Sequence, residues 1–265
     1  MPIRKPIFVV PLDLGAVTSG NVRSGYSAGH LNRHKAIGLV WRSEGNSNVW
    51  IRGRFSASQT VDFCALVAAN ALPGTKIRLR LGATQADVDG ASAPYDSGAL
   101  DFISPSITRE DGLYHSHLEL GSPVGATWWR IDITGHTGDF QASNLVLGLK
   151  QETDRFYNYD FAMGVEDLGS IDWGRWGVVD EQEGAIFRTI EFSLGWETET
   201  TYQSEIRPML EKLGKRGVVY LCFDPEPGIY RQAKTYMGWF QKVPAVKGIR
   251  KPGTFTLDYA ILSMI

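Results

Sequence analysis

Cysteine is scarce. Only Cys64 and Cys222 occur in 265 residues, each inside an apolar run, FCALVAAN and VVYLCFD. A disulfide scaffold or a thiolate zinc centre needs more thiols at closer spacing. The two are therefore expected to be buried free thiols that pack as small hydrophobes. A surplus of one charge is also lacking. Against 27 Lys and Arg stand 29 Asp and Glu, a net charge of −2, so no overall field attracts nucleic acid or an acidic membrane. No apolar run is long enough to cross a bilayer. The opening MPIRKPIFVVPLDL starts basic, but Pro11 interrupts its apolar stretch and no small-residue cleavage site follows. Folding in a cytoplasm, with no nucleic acid partner and no membrane insertion, is expected. Repeats, heptads and low-complexity segments are absent.

What the chain does have is 29 glycines, 8 tryptophans and 43% hydrophobic residues. That mixture suits many short strands joined by tight turns. Two blocks are expected, residues 1–150 and 156–265, separated by the polar KQETDR. The first reads as strands almost throughout. KAIGLVWRS sets Ile37, Leu39 and Trp41 on one face, and NVWIRGRFS sets Val49, Ile51 and Phe55 on one side. VDFCALVAAN is apolar without alternation, as in a strand buried on both faces. KIRLRLG turns Ile77, Leu79 and Leu81 inward and Lys76, Arg78 and Arg80 outward. Seven or eight such strands predict a jelly-roll β-sandwich.

The second block predicts a further β-sandwich with one short helix. AIFRTIEFSLGWET alternates over Ile186, Ile190, Phe192, Leu194 and Trp196. In SEIRPMLEKLG, Ile206, Met209, Leu210 and Leu213 fall at helical spacing. Pro208 places that helix's start near Glu205, with Ser204 as the N-cap and Gly214 as the stop. RGVVYLCFDPEPG, AKTYMGWFQKV and GTFTLDYAILSMI read as strands.

Catalytic patterns are missing. GxxxxGK[ST], GxSxG and HExxH do not occur, and nothing in the sequence pairs two carboxylates for acid–base work. No catalytic residue, metal or cofactor is assigned, and the chain is expected not to be an enzyme. His115 and His117 stand two apart on a strand and point the same way, but a metal needs a third ligand from elsewhere. DVDG at Asp87–Gly90 starts like a calcium loop, yet Ala91 and Ala93 occupy the next ligand positions. Lys76, Arg78 and Arg80 lack the interleaved aromatics of a nucleic-acid platform.

The tandem tryptophans give the binding candidates. With Trp129, Ile131 and Ile133 in the core, Trp128, Arg130 and Asp132 share the opposite face. A ring beside a guanidinium and a carboxylate suits a sugar: the indole covers the apolar face of a pyranose and the charged groups bond its hydroxyls. The competing expectation is that this face packs against other protein.

Residues 30–150 resemble the galactose-binding-like, discoidin-type jelly rolls. The resemblance rests on WRSEGNSNVWIRGRFSASQTVDFCALVAANALPGTKIRLRLG, YDSG and HLELGSPVGATWWRIDITG, with Asn70, Gly74, Arg78 and Arg130 at the pattern's positions. The second block is similar to the sandwich-plus-helix units of tail-tip and distal-tail (baseplate) proteins of long-tailed bacteriophages. That likeness is carried by FRTIEFSLGWETETTYQSEIRPMLEKLGKRGVVYLCFDPEP, YMGWF and the terminal strand. It implies a structural virion protein of a tail, synthesised in the host cytoplasm. The implied partners are its own copies in a homo-oligomeric ring, other tail proteins and a host-surface carbohydrate. The strand from Ile186 to Trp196 and the terminal strand are the expected ring contacts. The alternative is a lectin-like module that adsorbs to a cell-surface polysaccharide.

Overall fold

The computed structural model describes residues 4–248 and 252–265 and is built mainly of strands. In the first block these are β1 (Ile7–Val9), β2 (Ala16–Ser19), β3 (Trp41–Arg42), β4 (Trp50–Val67), β5 (Lys76–Gly82), β6 (Tyr95–Asp96), β7 (Leu100–Asp101), β8 (Leu118–Thr134), β9 (Gln141–Ala142) and β10 (Asn144–Gly148). The second holds β11 (Lys150–Glu152), β12 (Ala162–Asp167), β13 (Ser170–Trp173), β14 (Val179–Gln182), β15 (Ile186–Thr198), β16 (Val219–Cys222), β17 (Thr235–Lys242), β18 (Val246–Gly248) and β19 (Thr254–Ser263).

The jelly roll is organised by two long bent strands. β4 and β8 pair antiparallel along both their ends, with register breaks between Arg54 and Gln59 and between Val61 and Phe63. The bend falls where apolar periodicity stops, at the exposed Ser56, Ala57 and Ser58. Each strand therefore serves both layers. Ile51, Phe55, Cys64 and Leu66 of β4 meet Leu118, Trp129 and Ile131 of β8 in one core, together with Ile77, Leu79 and Leu81 of β5. NVWIRGRFS and VDFCALVAAN, expected as two strands, are one.

Two segments differ from expectation. In KAIGLVWRS only Trp41 and Arg42 are strand, and Leu39 is exposed; backbone bonds from Ala36 to Arg33 and from Leu39 to Ala36 coil it into turns. The stretch read as a loop after KIRLRLG holds a helical turn, α1 (Gln85–Asp89). Thr84 and Asp87 cap it reciprocally.

The second sheet runs β11-β1-β16-β17-β19-β15-β12, with β18 added on β19. The chain's first strand thus lies inside this sheet, between β11 and β16. One face packs under a continuous helical run, residues 199–213. There Ile190, Phe192, Leu194, Leu221 and Tyr259 meet Ile206, Met209, Leu210 and Leu213. The other face packs on the jelly roll: Ile7, Val9, Tyr220, Cys222 and Met237 meet Phe63, Ala65, Val67 and Val146. This explains why FCALVAA, residues 63–69 within VDFCALVAAN, is apolar at every position. Phe63, Ala65 and Val67 point to the second sheet, Cys64 and Leu66 into the jelly roll. Burying each larger side chain stabilises this contact by roughly 1.5–3 kcal/mol. Gln232 adds a polar clasp. Its amide accepts from the His115 N–H (2.8 Å) and donates to the His115 carbonyl (2.7 Å), as a neighbouring strand would. Both cysteines are free and fully buried.

The helix starts earlier than Glu205. Thr198 caps it through the Thr201 N–H, and a wide π turn, Tyr202–Ile206, precedes Pro208. Proline lacks the N–H that an α-helix would direct at residue 204, and the wider turn accommodates the gap. Ser204 is not the cap; its hydroxyl donates to the Thr200 carbonyl (2.8 Å). The alternation of β15 fails at Trp196. A bulge between Leu194 and Glu197 holds Trp196 in the left-handed region (φ 64°), turns its indole outward and gives the buried slot to Glu197. Nor are β15 and β19 free for contacts between copies, since each is paired on both sides; β11 and β12 close the sheet at its edges.

Candidate functional site

Register builds the outer face of the jelly roll. Asp132, Arg130 and Trp128 of β8 stand opposite Trp50, Arg52 and Arg54 of β4. On the other side they stand opposite Arg78, Arg80 and Gly82 of β5. Trp129 is fully buried, and Trp128, Arg130 and Asp132 share the outer face, as the twofold period requires.

Arg130 and Asp132 are committed to neighbours. Asp132 Oδ1 accepts from Arg130 Nε (3.0 Å) and Nη2 (2.8 Å), while its Oδ2 accepts from Arg80 Nη2 (2.6 Å). Arg130 Nη1 also reaches Asp89 Oδ1 (2.7 Å), and Arg52 pairs with the same carboxylate. Burial opposes ionisation of Asp89, but the bonds from Arg130 and Gln85 outweigh it and hold its carboxyl below the usual range. Arg130 and Arg52 lie over the Trp50 ring, at 4.6 and 5.1 Å from its centre. Arg80, expected to point into solvent, is buried, and its Nη1 donates to the Gly90 carbonyl (2.8 Å). Lys76 and Arg78 pair with Asp101 and Asp96.

Trp128 is the member of the three with no side-chain hydrogen bond or ion pair among the described residues. It is half-buried, and the exposed Arg54 lies 5.9 Å from its ring centre with no carboxylate partner among the described residues. Opposite Trp128, Gly82 has no side chain. Asp87 of α1 fills that space, its Cβ 2.6 Å from where a Gly82 Cβ would stand. The Asp87 carboxyl is held below its ordinary range by hydrogen bonds from Thr84. The indole thus has a guanidinium over its ring, and its register partner on β5 is the glycine whose side-chain space Asp87 fills. Arg54 and Asp87 escaped the sequence reading because Arg54 reaches Trp128 from a neighbouring strand and Asp87 comes beside Gly82, the register partner of Trp128, from a helical turn.

The other candidates have separate occupations. His115 Nδ1 accepts from the Ala68 N–H (3.0 Å), and burial pushes its pKa down to about 3. His117 Nε2 bonds Glu119 (3.1 Å), and burial lowers its pKa too. The two imidazoles have no ligand in common. Glu119 also takes Arg4 at 2.7 and 2.8 Å and Lys150 at 2.9 Å. Burial opposes its ionisation, but the bonds from His117, Arg4 and Lys150 prevail and hold it well below the carboxylate range. In DVDG, Asp87 closes the α1 cap and Asp89 holds the two arginines. In the second sheet, burial raises Glu197 to about 7.

A second exposed feature extends from the sheet edge. β12 pairs with β15, and beyond their end β13 and β14 continue as a hairpin closed by a bond from the Gly174 N–H to the Val178 carbonyl (2.8 Å). Every residue from 171 to 186 is exposed, including Ile171, Trp173, Trp176 and Val178. Cross-strand register gives this arm two faces. Ile171 and Trp173 stand opposite Glu181 and Val179 on one, and Asp172 faces Asp180 on the other.

No family model matches this sequence, and no curated protein does. Solved structures give fold likeness over about half the chain. A fucose-binding module of Streptococcus pneumoniae aligns at 9% identity and TM-score 0.38, over 52% of this chain and 95% of that one. A chitosan-binding module from a Paenibacillus chitosanase/glucanase aligns at 14% and 0.35, over 52% and 96%. The lectin domain of lectinolysin, complexed with Lewis B antigen, aligns at 9% and 0.37, over 50% and 91%.

Proposed function

We propose that this chain is a non-catalytic carbohydrate-contacting protein, with Trp128 as the sugar platform. The supporting observation is the half-buried Trp128 ring with Arg54 over it, in register with Gly82, whose side-chain space Asp87 fills. The indole face takes the C–H face of a pyranose, Arg54 donates to its hydroxyls and Asp87 accepts from them. The Arg130–Asp132–Arg80 lattice fixes the floor beneath, so little order has to be created on binding. Carbohydrate is also the ligand class in the neighbours' names; here it rests on this chain's own residues. The test is titration of the full chain with fucose-, galactose- and glucosamine-containing oligosaccharides, followed by tryptophan fluorescence and calorimetry. Saturable binding to at least one is expected, lost in Trp128→Ala and weakened about tenfold in Arg54→Ala, the scale of one hydrogen bond to a charged group. Equal affinity in Trp128→Ala refutes the platform.

A second reading is favoured by the exposed arm. In it the chain is a structural protein of a phage tail tip, located in the virion and assembled with its own copies and other tail proteins. An apolar-faced hairpin that no other described residue covers suits an assembly subunit. Mass spectrometry of purified tail particles tests it: recovery at stoichiometric level supports the role, and absence from the particles ends it. The two readings are compatible, since an assembly subunit can carry the sugar-contacting layer outward.

A further inference from the structure

The arm presents two unfavourable arrangements. A two-stranded hairpin is marginal in water unless its apolar face is covered, and Ile171, Trp173 and Val179 are bare. Asp172 and Asp180 stand directly across the strands, where like charges repel. Between residues 160 and 183 lie seven carboxylates and one guanidinium, a net charge of −6. The whole chain carries −2, so everything outside the arm carries +4. An occupant that relieves both features is apolar at its floor and basic at its rim.

Such a surface lies at the junction of the jelly roll and the 199–213 helix. A groove of about 520 Å³ has Val10, Leu213 and Val218 along its floor and Arg33, Lys35 and Lys212 around it, with no acidic residue in its lining. Arg33, Lys35 and Lys212 are exposed and have no carboxylate partner among the described residues. Lys215 and Arg216, also exposed, follow Lys212 in sequence just past the helix stop at Gly214. Position matters equally. The arm leaves the β12 edge of the second sheet, whereas Val10 directly follows β1, next to the β11 edge. Donor and acceptor thus sit toward opposite edges of one sheet.

We propose that the acidic arm of one copy docks in the basic groove of the next, with Trp173 and Ile171 on its apolar floor, Glu181 of that same face toward Arg33, Lys35 and Lys212, and these long side chains reaching past the arm's edges to Asp172 and Asp180 on its other face. Such a contact is heterologous and repeats head to tail, closing into a ring or continuing as a filament. It stands apart from the carbohydrate reading, which concerns Trp128 on the jelly-roll face.

The test is the mass of the full chain by light scattering and sedimentation between about 1 and 100 µM, at low and high salt. The wild type is expected to self-associate at low salt and to dissociate as ions screen the contact. Ile171→Ser/Trp173→Ser in the arm and Lys35→Glu/Lys212→Glu in the groove should each leave monomers. All four side chains are exposed, and an unchanged near-ultraviolet circular dichroism spectrum checks that both variants fold. Mixing the two variants should give a 1:1 heterodimer and nothing larger, because one intact arm and one intact groove remain. A wild type monomeric at 100 µM, oligomers persisting in either variant, or no heterodimer in the mixture each overturn the proposal.

Discussion

Gly53 lies against the indole of Trp129, its register partner across β4 and β8. A Cβ on Gly53 would stand 2.4 Å from the ring. Trp129 is fully buried and has nowhere to move. Gly53→Ala is expected to destabilise the chain by about 1–3 kcal/mol through overpacking. Urea denaturation followed by tryptophan fluorescence reads this directly; an unchanged midpoint contradicts the packing described.

The outer face of the jelly roll separates stability from binding. Removing the charge of Asp132 strands Arg80, whose side chain is only 7% exposed. Asp132→Asn should cost about 2–4 kcal/mol, somewhat below the loss for a fully buried pair. Trp128→Ala, at a half-open position, should cost under about 1.5 kcal/mol. Thermal unfolding of the two variants side by side checks the order, and the reverse order would place the structural load on Trp128.

Two carboxylates tilt the pH dependence in opposite directions. Glu119 has a folded-state pKa below its ordinary 4.5, so the stability it contributes is present above that value and lost as pH falls. Glu197 is raised to about 7, so between roughly pH 4.5 and 7 the unfolded chain gives up this proton first and stability falls as pH rises. Glu119→Gln should flatten the acid limb. Glu197→Gln should remove the decline toward neutral pH and be the more stable form at pH 8 by up to about 3 kcal/mol. Denaturant midpoints from pH 3 to 8 settle both signs.

The fold was legible where neighbours in sequence decide a residue's fate. The unbroken apolar run of residues 63–69 announced a strand covered on both faces, and Ile206, Met209, Leu210 and Leu213 announced the buried side of a helix. Trp128 and Trp129 parted to opposite faces as adjacent strand residues must. Legibility ended where distant pairing decides. Nothing near Ile7 says that it will lie beside Cys222, and nothing near Trp196 shows the bulge that exchanges it for Glu197. The sugar candidates were found by period, but register alone revealed that Arg130 and Asp132 neutralise each other, that Arg54 lies over the indole and that Asp87 fills the space beside Gly82 opposite it. The arm escaped because an alternating apolar and acidic segment looks like any half-covered strand; only the fold shows that the other described residues leave it bare.

The placement of β1 beside β11 has a consequence for inheritance. Ile7 pairs with Glu152 and Val9 with Lys150, so the whole jelly roll departs and returns through two adjacent antiparallel strands whose ends lie about 5 Å apart. In topological terms residues 10–149 are one very long hairpin loop. Recombination could swap that loop for an unrelated module without reordering a single strand of the host layer. The newcomer would need closely spaced ends and a greasy patch to cover Ile7, Val9, Tyr220 and Cys222.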